Sequence, residues 1–307
     1  ILCWGNDGFG QLGDGVASAP ASNPWVIPDA GSLLSEVTSF SLGYAHACGL
    51  DGDGGVLCWG DGGSGQMGND EKYASNPTPK QVLNEDGSPL AGATDIFSGN
   101  YHSCALVGPS GDVWCWGYND KAQVGDGGQT YVLTARPMKV SADSEETLSG
   151  GEQMGLGFNF SCMTTQGGQE IWCWGDDSAG QLGNGALSTA TSPYPVKVSL
   201  PPGLIISDLD AGYHHVCALS TTGKLYCWGG GTYGQLGSGV TTNSPSPFGV
   251  PALSSKEIVD LSCGNNTTCA VDVEGDVWCW GSSGNGQLGN GVTWVMEPTK
   301  VVGLDEP

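Results

Sequence analysis

Twelve cysteines and four histidines are the side chains of this 307-residue chain with the most chemistry open to them. Cysteine can act as a thiolate nucleophile, ligate a soft metal or form a disulfide, and histidine can shuttle protons or ligate a metal. Their spacing sorts these options. Ten cysteines recur as pairs: Cys48 with Cys58, Cys104 with Cys115, Cys162 with Cys173, Cys217 with Cys227, and Cys269 with Cys279. The histidines, His46, His102, His214 and His215, fall just ahead of the first cysteine of a pair. A catalytic histidine is normally singular and backed by a nucleophile or a carboxylate in a cleft, so a repeated one points to a structural, turn-bracing role. A structural zinc needs four converging N/S ligands, yet Phe160 and Thr267 replace the histidine in two repeats, and no shared metal site is expected. No hydrolase elbow, phosphate loop or metalloprotease motif occurs, so no catalytic residue and no enzyme activity are expected.

The elements that must position these residues are internal repeats. Cys-Trp-Gly begins at positions 3, 58, 115, 173, 227 and 279, so successive copies stand 55, 57, 58, 54 and 52 residues apart. Each copy is followed by a variant of Gly-Gln-Leu-Gly, such as Gly65-Gln66-Met67-Gly68 or Ala122-Gln123-Val124-Gly125. A proline opening a short apolar stretch follows in most, as at Pro79–Val82 and Pro195–Val198. Upstream of five copies lies Gly-x-x-His-x-Cys or a variant, fullest at Gly43–Cys48, Gly99–Cys104 and Gly212–Cys217. Glycine turns between short strands at this period predict one four-stranded propeller blade per repeat. The fold class is therefore all-β, a β-propeller with six repeat units, five complete and the first partial, expected to form a single domain over residues 1–307.

Position sums give the register of each hairpin. If Cys48 faces Cys58, then Ala47 faces Trp59 and Leu50 faces Val56; the same register sets Ala105 opposite Trp114 and Thr268 opposite Trp280. Large aromatics face small residues in every repeat, and a one-residue slip would destroy this complementarity in all of them. The five cysteine pairs then stand directly opposite one another, at a separation that a disulfide can bridge. Buried free thiols are the alternative, since cysteine packs as a small hydrophobe; five independent matches favour disulfides. Such bonds persist in oxidising compartments, so an extracellular or cell-surface location is expected. Cys3 and Cys263 are left over, and Cys263 reads as a buried thiol.

Charge narrows the partners. Nine basic residues against 32 acidic ones give −23, which repels phosphate backbones and anionic headgroups. Nucleic-acid binding is thus not expected, and no apolar run is long enough to span a bilayer. The chain begins Ile-Leu-Cys-Trp-Gly, without an initiator Met, which reads as a processed form or a piece of something longer. Asp51-Gly52-Asp53-Gly54 starts like a calcium loop, but Gly62 stands where the bidentate Glu would be. No cofactor is expected beyond a weak calcium option around Asp61 or Asp176-Asp177. Sequons at Asn159, Asn265 and Asn266 mark glycosylation positions.

Gly-x-x-His-x-Cys-Ala-Leu, a glycine turn, Cys-Trp-Gly and Gly-Gln-Leu-Gly together resemble the repeats of the regulator of chromosome condensation family, over essentially the whole chain. The resemblance implies a propeller, and the cysteine-bearing variant is similar to repeats of secreted or surface proteins. It also brings family activities to weigh: nucleotide exchange on a small GTPase, chromatin docking, β-lactamase inhibition and UV-B sensing. Chromatin docking sits badly with −23, and the photoreceptor's arginine-held tryptophans have little counterpart in a chain whose one arginine is Arg136. The expected function is a disulfide-stapled extracellular binding or scaffold module engaging a protein or glycan, or assembling with itself in an appendage or matrix. A soluble inhibitor or receptor-like binder is the alternative, and a small-GTPase regulator comes third. Trp25 and Trp294, outside the Cys-Trp-Gly positions, are the aromatics expected to face a partner.

Overall fold

A computed structural model describes residues 2–26, 37–144, 146–188 and 190–303. The chain forms two compact units, 1–151 and 152–307. In the first, β1 (Leu2–Gly5) pairs with β2 (Ala21–Val26), and two four-stranded antiparallel meanders follow: β3 (Val37–Leu42), β4 (His46–Asp51), β5 (Val56–Gly60) and β6 (Asn76–Gln81), then β7 (Ala93–Ser98), β8 (His102–Val107), β9 (Asp112–Gly117) and β10 (Val132–Pro137). The second unit holds three such meanders: β11 (Gln153–Leu156), β12 (Phe160–Thr165), β13 (Glu170–Gly175) and β14 (Ser192–Lys197); β15 (Ile206–Ala211), β16 (His215–Ser220), β17 (Leu225–Gly229) and β18 (Ser244–Gly249); β19 (Ile258–Cys263), β20 (Thr267–Asp272), β21 (Val277–Ser282) and β22 (Trp294–Lys300). Among the described residues the one other regular element is a 3-10 turn at Pro251–Leu253. These are the six repeat units of the sequence, the first of them lacking two strands.

The hairpin register follows the position sums. Cys48, Cys104, Cys162, Cys217 and Cys269 face Cys58, Cys115, Cys173, Cys227 and Cys279, and Ala47, Ala105 and Thr268 face Trp59, Trp114 and Trp280. In the first complete blade the second and third strands, β4 and β5, are buried nearly throughout, whereas the fourth, β6, is largely open. This is how a sheet sandwiched between neighbours buries its middle strands.

Two features of Cys-Trp-Gly explain its recurrence. The tryptophan is core: Trp59, Trp116, Trp174, Trp228 and Trp280 are almost wholly buried. Its indole N–H donates to a main-chain carbonyl in the Gly-Gln-Leu-Gly loop of the preceding repeat, from Trp59 to Gln11, Trp116 to Gln66, Trp228 to Gln181 and Trp280 to Gln235, at 2.8–3.1 Å. One residue thus fills the gap between blades and satisfies its own polar atom. The glycine sits at a bulge in the pairing of third and fourth strands, with φ near +100° at Gly60, Gly175 and Gly281. A Cβ there would also lie 2.3–2.5 Å from a carbonyl oxygen of the turn before the second strand, that of Ala45, Asn159 or Asn266, so only glycine fits.

Candidate binding surface

Three of the four histidines, His46, His102 and His215, are buried, and His214 is half-buried. His46 and His215 are buried, with Nε2 2.9 Å from the hydroxyls of Ser103 and Thr268 respectively, each on the next blade. Thr268 spends its own proton on the Gln235 carbonyl at 2.8 Å, so it accepts from His215 Nε2–H. Nδ1 of both rings has no hydrogen-bond partner and instead lies against the motif glycine. A Cβ at Gly43 or Gly212 would stand 2.1 or 2.2 Å from Cε1 of His46 or His215. Burial holds His46 down to about 4 and, with His214 nearby, His215 down to about 3; burial and His46 put His102 at about 3. His46 and His215 are thus neutral struts between blades.

The paired sulfurs of all five cysteine sets are at bonding distance, 2.06–2.12 Å, with Cα–Cα separations of 4.1–4.2 Å. Cys3 and Cys263 are free thiols, and both are raised by burial, Cys263 well above the usual range. Among the described residues one His/Cys grouping, His215 with Cys217 and Cys263, brings potential ligand atoms within 4.8 Å of one another. The Cys217 sulfur is bonded to Cys227, which leaves two free donors at most. The acidic turns are likewise engaged by protein. Asp51 Oδ1 accepts from Asp53 and Gly55 N–H; Asp61 and Asp176 each accept from the glutamine of the following loop, Gln66 at 3.0 Å and Gln181 at 2.8 Å; Asp177 caps Leu182 N–H. Of the sequon asparagines, Asn159 is buried, Asn266 half-buried and Asn265 exposed.

Aromatic rings gather at the surface of both units, some exposed and some half-buried. In the first unit, the turns that carry Gly-x-x-His present Tyr44 and Tyr101, whose ring centroids are 5.6 Å apart. Tyr101 continues to Tyr118 at 6.2 Å, and Tyr118 to Tyr131 at 5.2 Å. Tyr44 is 65% exposed and Tyr73, at the far end, 72%. The array also runs into a cavity of about 320 Å³ lined in part by Trp4, Leu42 and Tyr44. The Tyr118 hydroxyl donates to Asp120 at 2.9 Å, and burial with that carboxylate pushes its pKa up to about 12. In the second unit, Phe158 stacks on Tyr213 at 4.2 Å, with the His214 ring edge-on to Tyr213. Trp294 is exposed at the head of β22 beside Val295 and Met296; the Trp25 side chain lies outside the described residues.

Part of this array has a mark in the sequence that the repeat motifs above do not include. An aromatic residue occupies the first or second position after the motif glycine in four of five copies, as Tyr44, Tyr101, Phe158 and Tyr213. Tyr118 and Tyr131 fall in loops that recur in every repeat, but the equivalent positions elsewhere, such as Asp61, Asp176 and Ser282 for Tyr118 and Ser75, Thr191 and Thr293 for Tyr131, carry no ring, so they leave no periodic trace.

Tandem four-stranded antiparallel blades with buried Cys-Trp-Gly strands define a β-propeller. Models of the regulator of chromosome condensation (RCC1) repeat match residues 53–106, 169–219, 222–271 and 274–306, and a second set matches 37–66, 93–123, 206–235 and 258–287. The chain belongs to this family. It is 31% identical over 300 residues to the mitochondrial RCC1 domain-containing protein RUG3 of Arabidopsis thaliana, covering 94% of this chain and 63% of that one. The ultraviolet-B receptor UVR8 of the same plant is 30% identical over 294 residues, covering 95% and 62%, and human E3 ubiquitin-protein ligase HERC2 is 29% identical over 300 residues, covering 96% and 6%. The chain thus spans less than two thirds of the length of these relatives. Human WBSCR16 has the same fold, with a TM-score of 0.81 over 98% of this chain and 76% of that one at 21% identity; Prp20p from Saccharomyces cerevisiae gives 0.65 over 99% and 86% at 20%.

Proposed function

We propose that this chain is a non-catalytic, disulfide-stapled propeller module, one domain over residues 1–307, that binds another protein and works outside the reducing cytosol, secreted or at a cell surface. The observation that carries this reading is the division of labour among its side chains. His46, His102 and His215, the five cystines and several loop carboxylates are engaged within the protein, while the exposed Tyr44 continues through the half-buried Tyr101, Tyr118 and Tyr131 as one contiguous run of rings at the surface. Tyrosine supplies contact area at low rotamer cost and is enriched in the energetic centres of protein interfaces. The cystines support an oxidising location, and glycosylation belongs to the same reading, with Asn265 as the accessible acceptor.

The test uses the extracellular fraction of the native source. Partners retained by the immobilised protein are compared with those retained by Tyr44→Ser/Tyr101→Ser and by a Trp294→Ser variant in the second unit. Loss of one defined protein from the tyrosine variant alone supports the reading. Identical sets from all three remove the array as the docking surface.

A further inference from the structure

The tyrosine array of the first unit already holds a cation. The Lys72 ammonium lies 4.6 Å from the centroid of Tyr73 and 5.0 Å from that of Tyr131, both inside the roughly 6 Å at which a ring face attracts a positive charge. Glu71 and Asp70 precede Lys72 directly, yet among the described residues its ammonium forms no ion pair. It sits on rings instead.

The loop that delivers it is held there. Asp70 N–H donates to the Leu133 carbonyl at 2.9 Å, Asn69 bridges to Thr134, and Glu71 Oε2 accepts from Asn69 and Asn76 at 3.0 and 3.3 Å. Two of its residues adopt left-handed backbone, Asp70 at φ +64° and Tyr73 at φ +63°. A ring-bearing residue in that region is strained, and such strain persists where surrounding structure imposes it, often at sites that bind. Tyr73 is thereby fixed beside the Lys72 ammonium, opposite Tyr131.

From this geometry we infer that the Tyr118–Tyr131–Tyr73 end of the array is a recognition site for a lysine or arginine side chain of a basic segment in the protein partner, and that Lys72 is a resident surrogate which the incoming cation displaces. The inference rests on the protein-binding reading and names the chemistry of its partner. Charge complementarity selects the occupant. The chain carries 32 acidic and nine basic residues, a carboxylate, Asp120, is bonded to the Tyr118 hydroxyl within the array, and a field of this sign draws basic segments in and repels acidic ones. The rings then give short-range selection that a diffuse acidic surface lacks.

The probe is a fluorescently labelled peptide of alternating glycine and lysine, with a glycine–glutamate peptide as control, titrated by anisotropy near physiological ionic strength. Removing the internal competitor in Lys72→Ala is expected to tighten lysine-peptide binding about two- to fivefold, the range of an exposed cation–π contact. Lys80→Ala, an equal charge change on β6, should not reproduce it. Tyr131→Ala should weaken binding by about the same factor, whereas Tyr131→Phe, which keeps the ring, should match the parent. Equal tightening by Lys72→Ala and Lys80→Ala, or indifference to Tyr131→Ala, would overturn the inference and leave only general acidic attraction. Partner loss from the Tyr44/Tyr101 variant combined with indifference of the peptide to Tyr131 would sink the cation site while sparing the protein-binding reading.

Discussion

Gly212→Ala offers a test of how the blades are held together. A methyl at this position would stand 2.2 Å from His215 Cε1 and 2.3 Å from the Gly264 carbonyl oxygen on the next blade. Neither neighbour is free to retreat: the ring is clamped by its 2.9 Å hydrogen bond to Thr268, and the carbonyl is main chain. Overpacking of a tight site costs about 1–3 kcal/mol, and displacing the imidazole from Thr268 adds about 0.5–1.5 kcal/mol. A loss of about 2–4 kcal/mol is therefore expected. The equivalent glycine of the last blade provides a matched control. Gly264 precedes Thr267 instead of a histidine, and a Cβ there would meet nothing closer than the Thr267 Cβ at 3.8 Å, so Gly264→Ala should stay within about 0.5 kcal/mol of the parent. Urea unfolding followed by the emission of the buried tryptophans measures both. Equal midpoints for the two variants would refute the claim that the Gly-x-x-His glycine exists to seat the imidazole.

Three further outcomes are expected. Replacing both members of one cystine, as in Cys104→Ala/Cys115→Ala, should lower stability by about 3 kcal/mol for a loop of this length in the chain-entropy view, read from denaturant midpoints. Under denaturing, non-reducing conditions the protein should take up two equivalents of alkylating agent, at Cys3 and Cys263, and twelve after reduction, as read by intact mass. Stability should fall as pH drops below about 6.5, because His46 and His215, held down to about 4 and about 3, take up protons more readily when unfolded. Asp177 and Asp210, raised to about 6 mainly by burial, work in the opposite sense between about 6 and 3.8 and offset part of the loss. His46→Phe, which copies the natural Phe160 of another blade, should flatten the acid limb in a pH series of thermal midpoints; an unchanged slope would show that His46 carries none of it.

The architecture was readable because every constraint that fixes it repeats. A side-chain period of two, a small residue opposite a large aromatic in each hairpin and a cysteine opposite each paired cysteine leave one register, and the five complete repeats state the same answer five times. Burial of His46 and His215 could be anticipated in kind, since a histidine that recurs at one strand position and is replaced by Phe160 in a sister repeat behaves as filling. Their hydroxyl partners could not. Ser103 and Thr268 stand 57 and 53 residues further on, and nothing in hairpin pairing ties one blade's turn to the next blade's strand.

By itself, then, the amino-acid sequence determined what local pairing can determine: strand order within each meander, hairpin register, the facing cysteines and the partial first repeat. The tertiary structure alone decided which rings pack together at the surface. Tyr101, Tyr118 and Tyr131 come from three repeat loops, the last two of which carry a ring at that position in this repeat alone, and Lys72 reaches them from a neighbouring blade on a loop with left-handed backbone. Their meeting depends on how blades stack through buried tryptophans, a packing geometry that acts between segments dozens of residues apart and therefore leaves no mark on the pattern of any one of them.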